Sequence, residues 1–154
     1  MKFLALYFVA FLFMSCSGDD ANNNAPMDVN FELSVRDNSN VDLLSPDVAN
    51  TLNTSQIKLF YLIQGESIEV NNPSLDHPRN YFIFQHESEY RIRIFLNNET
   101  SEQQPVTYIK WNELDTDTIK VQYAANRTKD KVWVNNELVW QSSENQPGYY
   151  SVVK

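Results

Sequence analysis

Two histidines, His77 and His86, are all the imidazole this chain has for acid–base work or metal binding. A Ser–His–Asp relay needs one of them as a base held against a nucleophile. His77 precedes Pro78 in a loop, His86 ends a strand at a turn, and neither lies near a G-x-S-x-G elbow. The spacings H-x-H and H-E-x-x-H, which aim two imidazoles at one metal, do not occur. Twenty acidic residues offer many carboxylates for glycoside hydrolysis but no defined pair. A small domain that must also build its own core leaves little room for a deep cleft. The expectation is a protein that is not an enzyme, with no catalytic residue and no cofactor.

The acidic loop Asn112-Glu113-Leu114-Asp115-Thr116-Asp117 is the best candidate for a hard cation. Calcium takes six or more oxygens, and this loop lacks the spacing and glycine of a twelve-residue calcium loop. It reads as a solvated turn between strands, and no metal site is expected.

The aromatic residues carry the sharpest functional idea. Lys131-Val132-Trp133-Val134 and Glu137-Leu138-Val139-Trp140 flank Asn135-Asn136, two residues able to take the left-handed positions of a type I′ turn. In such a hairpin Trp133 faces Leu138 and Lys131 faces Trp140. Trp133, Leu138 and Trp140 then share one face, and Val132, Val134 and Val139 share the other. If the valines are core, the tryptophans form an exposed platform for a sugar ring or a protein partner. If the tryptophans are core, the valines lie outside or under a loop, an arrangement favoured by the area a buried indole removes from water.

The elements that must position these residues read as strands. Val29, Phe31, Leu33 and Val35 alternate with Asn30, Glu32, Ser34 and Arg36, the period of a half-buried strand. Residues 57–63 (IKLFYLI) are apolar on both faces, as a central strand would be. Residues 81–85 and 90–96 form a hairpin around His86-Glu87-Ser88-Glu89, with Ile92 and Ile94 facing one way and Arg91, Arg93 and Phe95 the other. Further strands are expected at 67–70, 106–111, 118–123, 131–134, 137–140 and 149–153. Only Gly65 and Gly148 fall in this region, so asparagine must supply other left-handed turns. The fold class is all-β: an antiparallel β-sandwich of about seven to ten short strands.

The N-terminus reads as a sorting signal. Phe3 to Met14 is a run of twelve apolar residues behind Lys2, too short to span a bilayer and the right length for a signal core. Ser15 and then Cys16, the only cysteine, follow it. The run Leu12-Phe13-Met14-Ser15-Cys16 resembles a bacterial lipoprotein signal, which implies lipidation of Cys16 (palmitate among its acyl chains) and removal of residues 1–15. Residues 16–27 are then a lipidated cysteine and flexible tether, and 28–154 the sandwich domain. Ser17, Asp19 and Asp20 resemble the acidic export signal of surface lipoproteins in Bacteroidota. This implies the outer membrane, with the cell surface favoured over a periplasm-facing position. Losing Lys2 makes the formal charge of -8 one unit more negative. Twelve basic residues against twenty acidic ones argue against a nucleic-acid-binding surface, which needs a basic stripe, and no nucleic-acid partner is expected.

The strand pattern of 28–154, with Asp117-Thr118-Ile119-Lys120 followed by the Trp133–Trp140 hairpin, resembles small immunoglobulin-like lipoproteins of Bacteroidota. That resemblance implies fold and location but no activity. Asp117-Thr118-Ile119 also resembles the acidic-Thr-apolar acceptor of O-glycosylation in that group, which marks Thr118. The function expected is a membrane-anchored extracytoplasmic module that binds a glycan or a cell-envelope protein. The alternative is a structural accessory subunit of an envelope complex, with no ligand of its own.

Overall fold

The structure is a computed structural model that describes residues 26–49 and 51–154. The signal segment 1–15, the lipidation site Cys16 and nearly all of the tether lie outside the described residues.

The described residues form ten strands: β1 (Asn30–Arg36), β2 (Lys58–Ile63), β3 (Glu66–Glu69), β4 (Tyr81–His86), β5 (Glu89–Phe95), β6 (Val106–Lys110), β7 (Thr116–Tyr123), β8 (Lys129–Val134), β9 (Glu137–Gln141) and β10 (Tyr149–Val153). They form two sheets, one of order β10-β1-β5-β4 and one of order β3-β2-β6-β7-β8-β9. The all-β, two-sheet architecture is the one the period-two pattern predicts. One pairing departs from it: β1 and β10 run parallel, with Glu32 beside Tyr149 and Arg36 beside Val153. A parallel pair needs a long crossover, and here everything between the two strands serves as that connection.

The alternation seen in the sequence is the inside–outside division of the sandwich. Phe31, Leu33 and Val35 of β1, Ile92 and Ile94 of β5, Ile109 of β6, Ile119 and Val121 of β7, and Val132 of β8 are completely buried between the sheets. Trp111, just beyond β6, is completely buried with them. The run 57–63 is apolar on both sides for two different reasons. Ile57 and Leu59 enter the core, whereas Phe60 and Leu62 stay partly exposed on the outer surface.

Among the described residues asparagine takes most of the left-handed positions, as the composition requires, but Gln64, Glu87 and Arg127 take them as well. Gln64 and Gly65 take φ of 51° and 84° between β2 and β3, and Asn135 and Asn136 take 50° and 70° between β8 and β9. Both are two-residue turns with two left-handed positions, the form that matches strand twist.

Candidate functional site

The β8–β9 hairpin forms where expected, and Trp133 stands opposite Leu138. The rest of its register does not follow the simple hairpin. It shifts between Val132 and Trp133, so Trp140 faces Val132, and Lys131 faces Gln141. The extra residue in β9 is Val139, and such a bulge sends the following side chains to the other side. Trp140 therefore packs against the core, and its indole N–H donates to the Gln146 carbonyl at 3.0 Å. The shared Trp133–Trp140 platform does not exist: the two rings lie on opposite faces of the sheet.

Trp133 instead joins a surface drawn from the whole six-stranded sheet. Strand register places Glu69, Phe60, Tyr108 and Thr118 in one row across its outer face. A second row holds Val106, Lys120, Trp133 and Leu138. Lys58, Lys110 and Thr116 form a third, and Gln122, Lys131 and Gln141 a fourth. Phe60, Tyr108 and Trp133 are all partly exposed, and Leu138 is 46% exposed. A shallow depression of about 440 Å³ beside the β2–β3 turn is lined by Phe60, Leu62, Tyr108 and Lys110.

Four lysines project on this face of a chain whose formal charge is -8. Lys58 pairs with Glu69 at 3.1 Å, Lys110 with Glu113 at 2.7 Å, and Lys120 donates to Asn136 Oδ1 at 2.8 Å. Lys131 has no carboxylate partner among the described residues. Such exposed pairs are weak and exchange readily with a ligand's oxygens.

Thr118 lies on the same face, partly exposed, with its backbone N–H donating to Asn135 Oδ1 at 2.9 Å. Its neighbour Asp117 points inward and is buried. Asp117 accepts bonds from Trp111 Nε1 at 2.7 Å and Asn135 Nδ2 at 2.8 Å, and pairs with Lys154 at 2.7 Å. Burial raises the Asp117 pKa, but the donors Asn135, Lys154 and Trp111 outweigh it and hold the carboxyl below its ordinary value. The acidic loop is thus not wholly solvated: the Lys154 ammonium sits between Asp115 and Asp117, filling the place a cation would take. Among the described residues, no group of three His, Cys, Asp or Glu side chains converges on a point.

The opposite outer surface, on the four-stranded sheet, holds a polar–aromatic lattice that was not singled out from the sequence. Glu32 bridges Arg91 at 3.2 Å and Arg93 at 2.5 Å, and Glu89 bridges Arg36 at 2.6 Å and Arg91 at 2.7 Å. Arg91 lies 4.0 Å above the Tyr149 ring and Arg93 5.1 Å from that of Phe84. His77 stacks on Phe82 with ring centres 4.4 Å apart, and His86 meets Phe84 edge-on at 6.4 Å. Burial raises the pKa of Glu32 and Glu89, yet the arginine hydrogen bonds lower both overall. Each charge here already has its counter-charge, so this surface holds strands together rather than waiting for a ligand. Its signal in the sequence was the alternation of Arg91 and Arg93 with Ile92 and Ile94.

No protein family, curated protein or solved structure matches the chain.

Proposed function

We propose that this chain is a membrane-anchored extracytoplasmic binding module that takes a glycan on the outer face of its six-stranded sheet. The observation that carries the reading is the pairing of partly exposed Phe60, Tyr108 and Trp133 with Lys58, Lys110, Lys120 and Lys131 on one surface. The C–H faces of a sugar ring pack on aromatic rings, and ammonium groups donate to its hydroxyl and carboxylate oxygens. Anchoring rests on the signal-like run that ends at Cys16 and on the polar tract behind it. A tethered domain at the outer membrane, on the cell surface or facing the periplasm, needs such a surface to act on its surroundings. The immunoglobulin-like relationship belongs to the same reading, supported by ten short strands in two sheets.

The test is a glycan array probed with the full chain in mild-detergent micelles. Acidic and neutral glycans should both be represented, and acidic ones should bind best. Trp133→Ala and Tyr108→Ala should each weaken binding about tenfold, the effect of removing one stacking ring. Trp140→Phe should leave binding unchanged. A silent array would instead favour the accessory-subunit reading, or a protein partner from the envelope. A glycan carried on Thr118 would cover this same face, and the intact mass of the native protein reveals it. Acyl labelling that survives Cys16→Ser would remove the anchor from the proposal.

A further inference from the structure

β4 forms one edge of the four-stranded sheet, and no strand among the described residues pairs with its other side. The Phe95 N–H donates to the Asn80 carbonyl at 2.9 Å while the Asn80 N–H turns to the His77 carbonyl, so Phe95 aims its N–H at the β4 side in the phase of a hydrogen-bonded pair. Such pairs alternate in an antiparallel ladder, so Phe82–Arg93 and Phe84–Arg91 are bonded in the same way. The backbone groups of Tyr81, Ile83 and Gln85 therefore point away from β5, and they have no hydrogen-bond partner among the described residues. Sheet edges are commonly protected by lysine, proline or a bulge. The strand Tyr-Phe-Ile-Phe-Gln-His carries neither residue, and its register with β5 is unbroken.

We propose that β4 pairs antiparallel with β4 of a second copy of this chain, about a two-fold axis at Ile83. The open groups permit pairing centred on any residue from Tyr81 to Gln85; a centre at Phe82 or Phe84 sets one phenylalanine opposite itself, but only a centre at Ile83 also sets Arg79 opposite Glu87 of the second copy. Only Ile83 sets Phe82 opposite Phe84 of the second copy. These positions are non-hydrogen-bonded, where cross-strand side chains come closest and aromatic pairs gain most. Tyr81 then faces Gln85 of the second copy in a bonded pair. The ends of the strand are complementary too. Exposed Arg79 precedes it and exposed Glu87 follows it, so antiparallel pairing brings opposite charges together at both ends. Glu87 has no ion-pair partner among the described residues, and Arg79 uses Nη1 on the Ser55 carbonyl and Tyr81, leaving Nη2 free of both. The result is a continuous eight-stranded sheet. Because its two-fold axis is perpendicular to the sheet, both six-stranded sheets lie on one side and present their outer faces in the same direction.

The test is sedimentation equilibrium on the full chain in mild-detergent micelles, over a wide concentration range. A dimer is expected. Glu87→Arg and Arg79→Glu should each weaken it about tenfold, since each change puts like charges at both strand ends. The double variant Arg79→Glu with Glu87→Arg should restore it. A monomeric wild type, or a dimer unmoved by the single changes, would overturn the proposal. Amide exchange on the wild-type protein gives a second reading that needs no variant. The Tyr81, Ile83 and Gln85 amides should slow as concentration rises, and rapid exchange of all three in a dimeric sample also overturns it.

Discussion

The ammonium of Lys154 stands 2.7 Å from a carboxylate oxygen of Asp117, across the end of the sandwich. The two residues are far apart in the chain, and Asp117 is almost wholly buried. Breaking a buried pair by removing one partner leaves the other uncompensated, at a cost of about 3–5 kcal/mol. Asp117→Ala also orphans the buried indole N–H of Trp111 and returns the exposed amide of Asn135 to water. We expect that variant to lose about 3 kcal/mol or more in urea unfolding. Lys154→Met should lose less, because Asp117 keeps two donors. Equal losses would show that the ion pair, and not the hydrogen-bond set, dominates.

Acid should weaken the fold through three carboxylates. Asp117, Glu32 and Glu89 are each held below their ordinary pKa by their partners, against the opposing effect of burial. A carboxylate with a lowered folded pKa adds stability that is full above its unfolded value and is lost as pH falls through the folded one. Stability from these groups should be level above about pH 5 and decline steadily below about pH 4. Urea midpoints measured at neutral and acidic pH check this. A midpoint that stays constant into strong acid rejects the assigned role of the three groups.

The three tryptophans should behave as three different environments. Trp111 is completely buried, Trp140 is bound to the Gln146 carbonyl at the core margin, and Trp133 is partly exposed on the outer face. Trp111→Phe should remove the blue-shifted, quencher-resistant emission and cost about 2 kcal/mol from lost volume and a lost hydrogen bond. Trp133→Phe should remove the acrylamide-accessible component with little effect on stability. If Trp133 emission proves inaccessible to acrylamide, the binding face loses its central ring.

The Asn135-Asn136 turn separates backbone preference from side-chain bonding. Asn-Gly suits a type I′ turn better than Asn-Asn, so Asn136→Gly should be neutral or stabilising by a few tenths of a kcal/mol, offset by the lost Lys120 contact. Asn135→Gly meets the same backbone requirement but deletes the side chain that joins Asp117 to the Thr118 amide. It should cost about 1–2 kcal/mol. Thermal unfolding of the two variants gives the comparison.

Much of the sandwich was legible because its signals are local. The alternation of Phe31, Leu33 and Val35 needs only neighbouring residues to be read, and so does the asparagine turn. What escaped is what one residue, or a distant strand, decides. Val139 inserts into β9 and carries Trp140 to the other face, a change that leaves the hydrophobic pattern of the hairpin intact. The parallel pairing of β10 with β1 depends on where the last strand finds an open edge. Trp111 ends a strand and adjoins polar residues, so its sequence context carries no core signal, yet the bond to Asp117 lets its indole N–H enter the core. The lysine–aromatic face was hidden for a related reason. Its residues come from β2, β6, β7 and β8, and only sheet order makes them neighbours.

The placement of β1 has a mechanical consequence. It lies inside its sheet, gripped by β5 on one side and by β10 on the other. Traction on the chain ahead of Asn30, directed along the strand, would load the rungs on both sides at once, in shear. Rungs that lie across the pull share the load, whereas an edge strand peeled sideways gives them up singly. A domain towed by that end in flowing medium would hold as a bolt held between two plates does. Releasing β10 first would remove one of those plates.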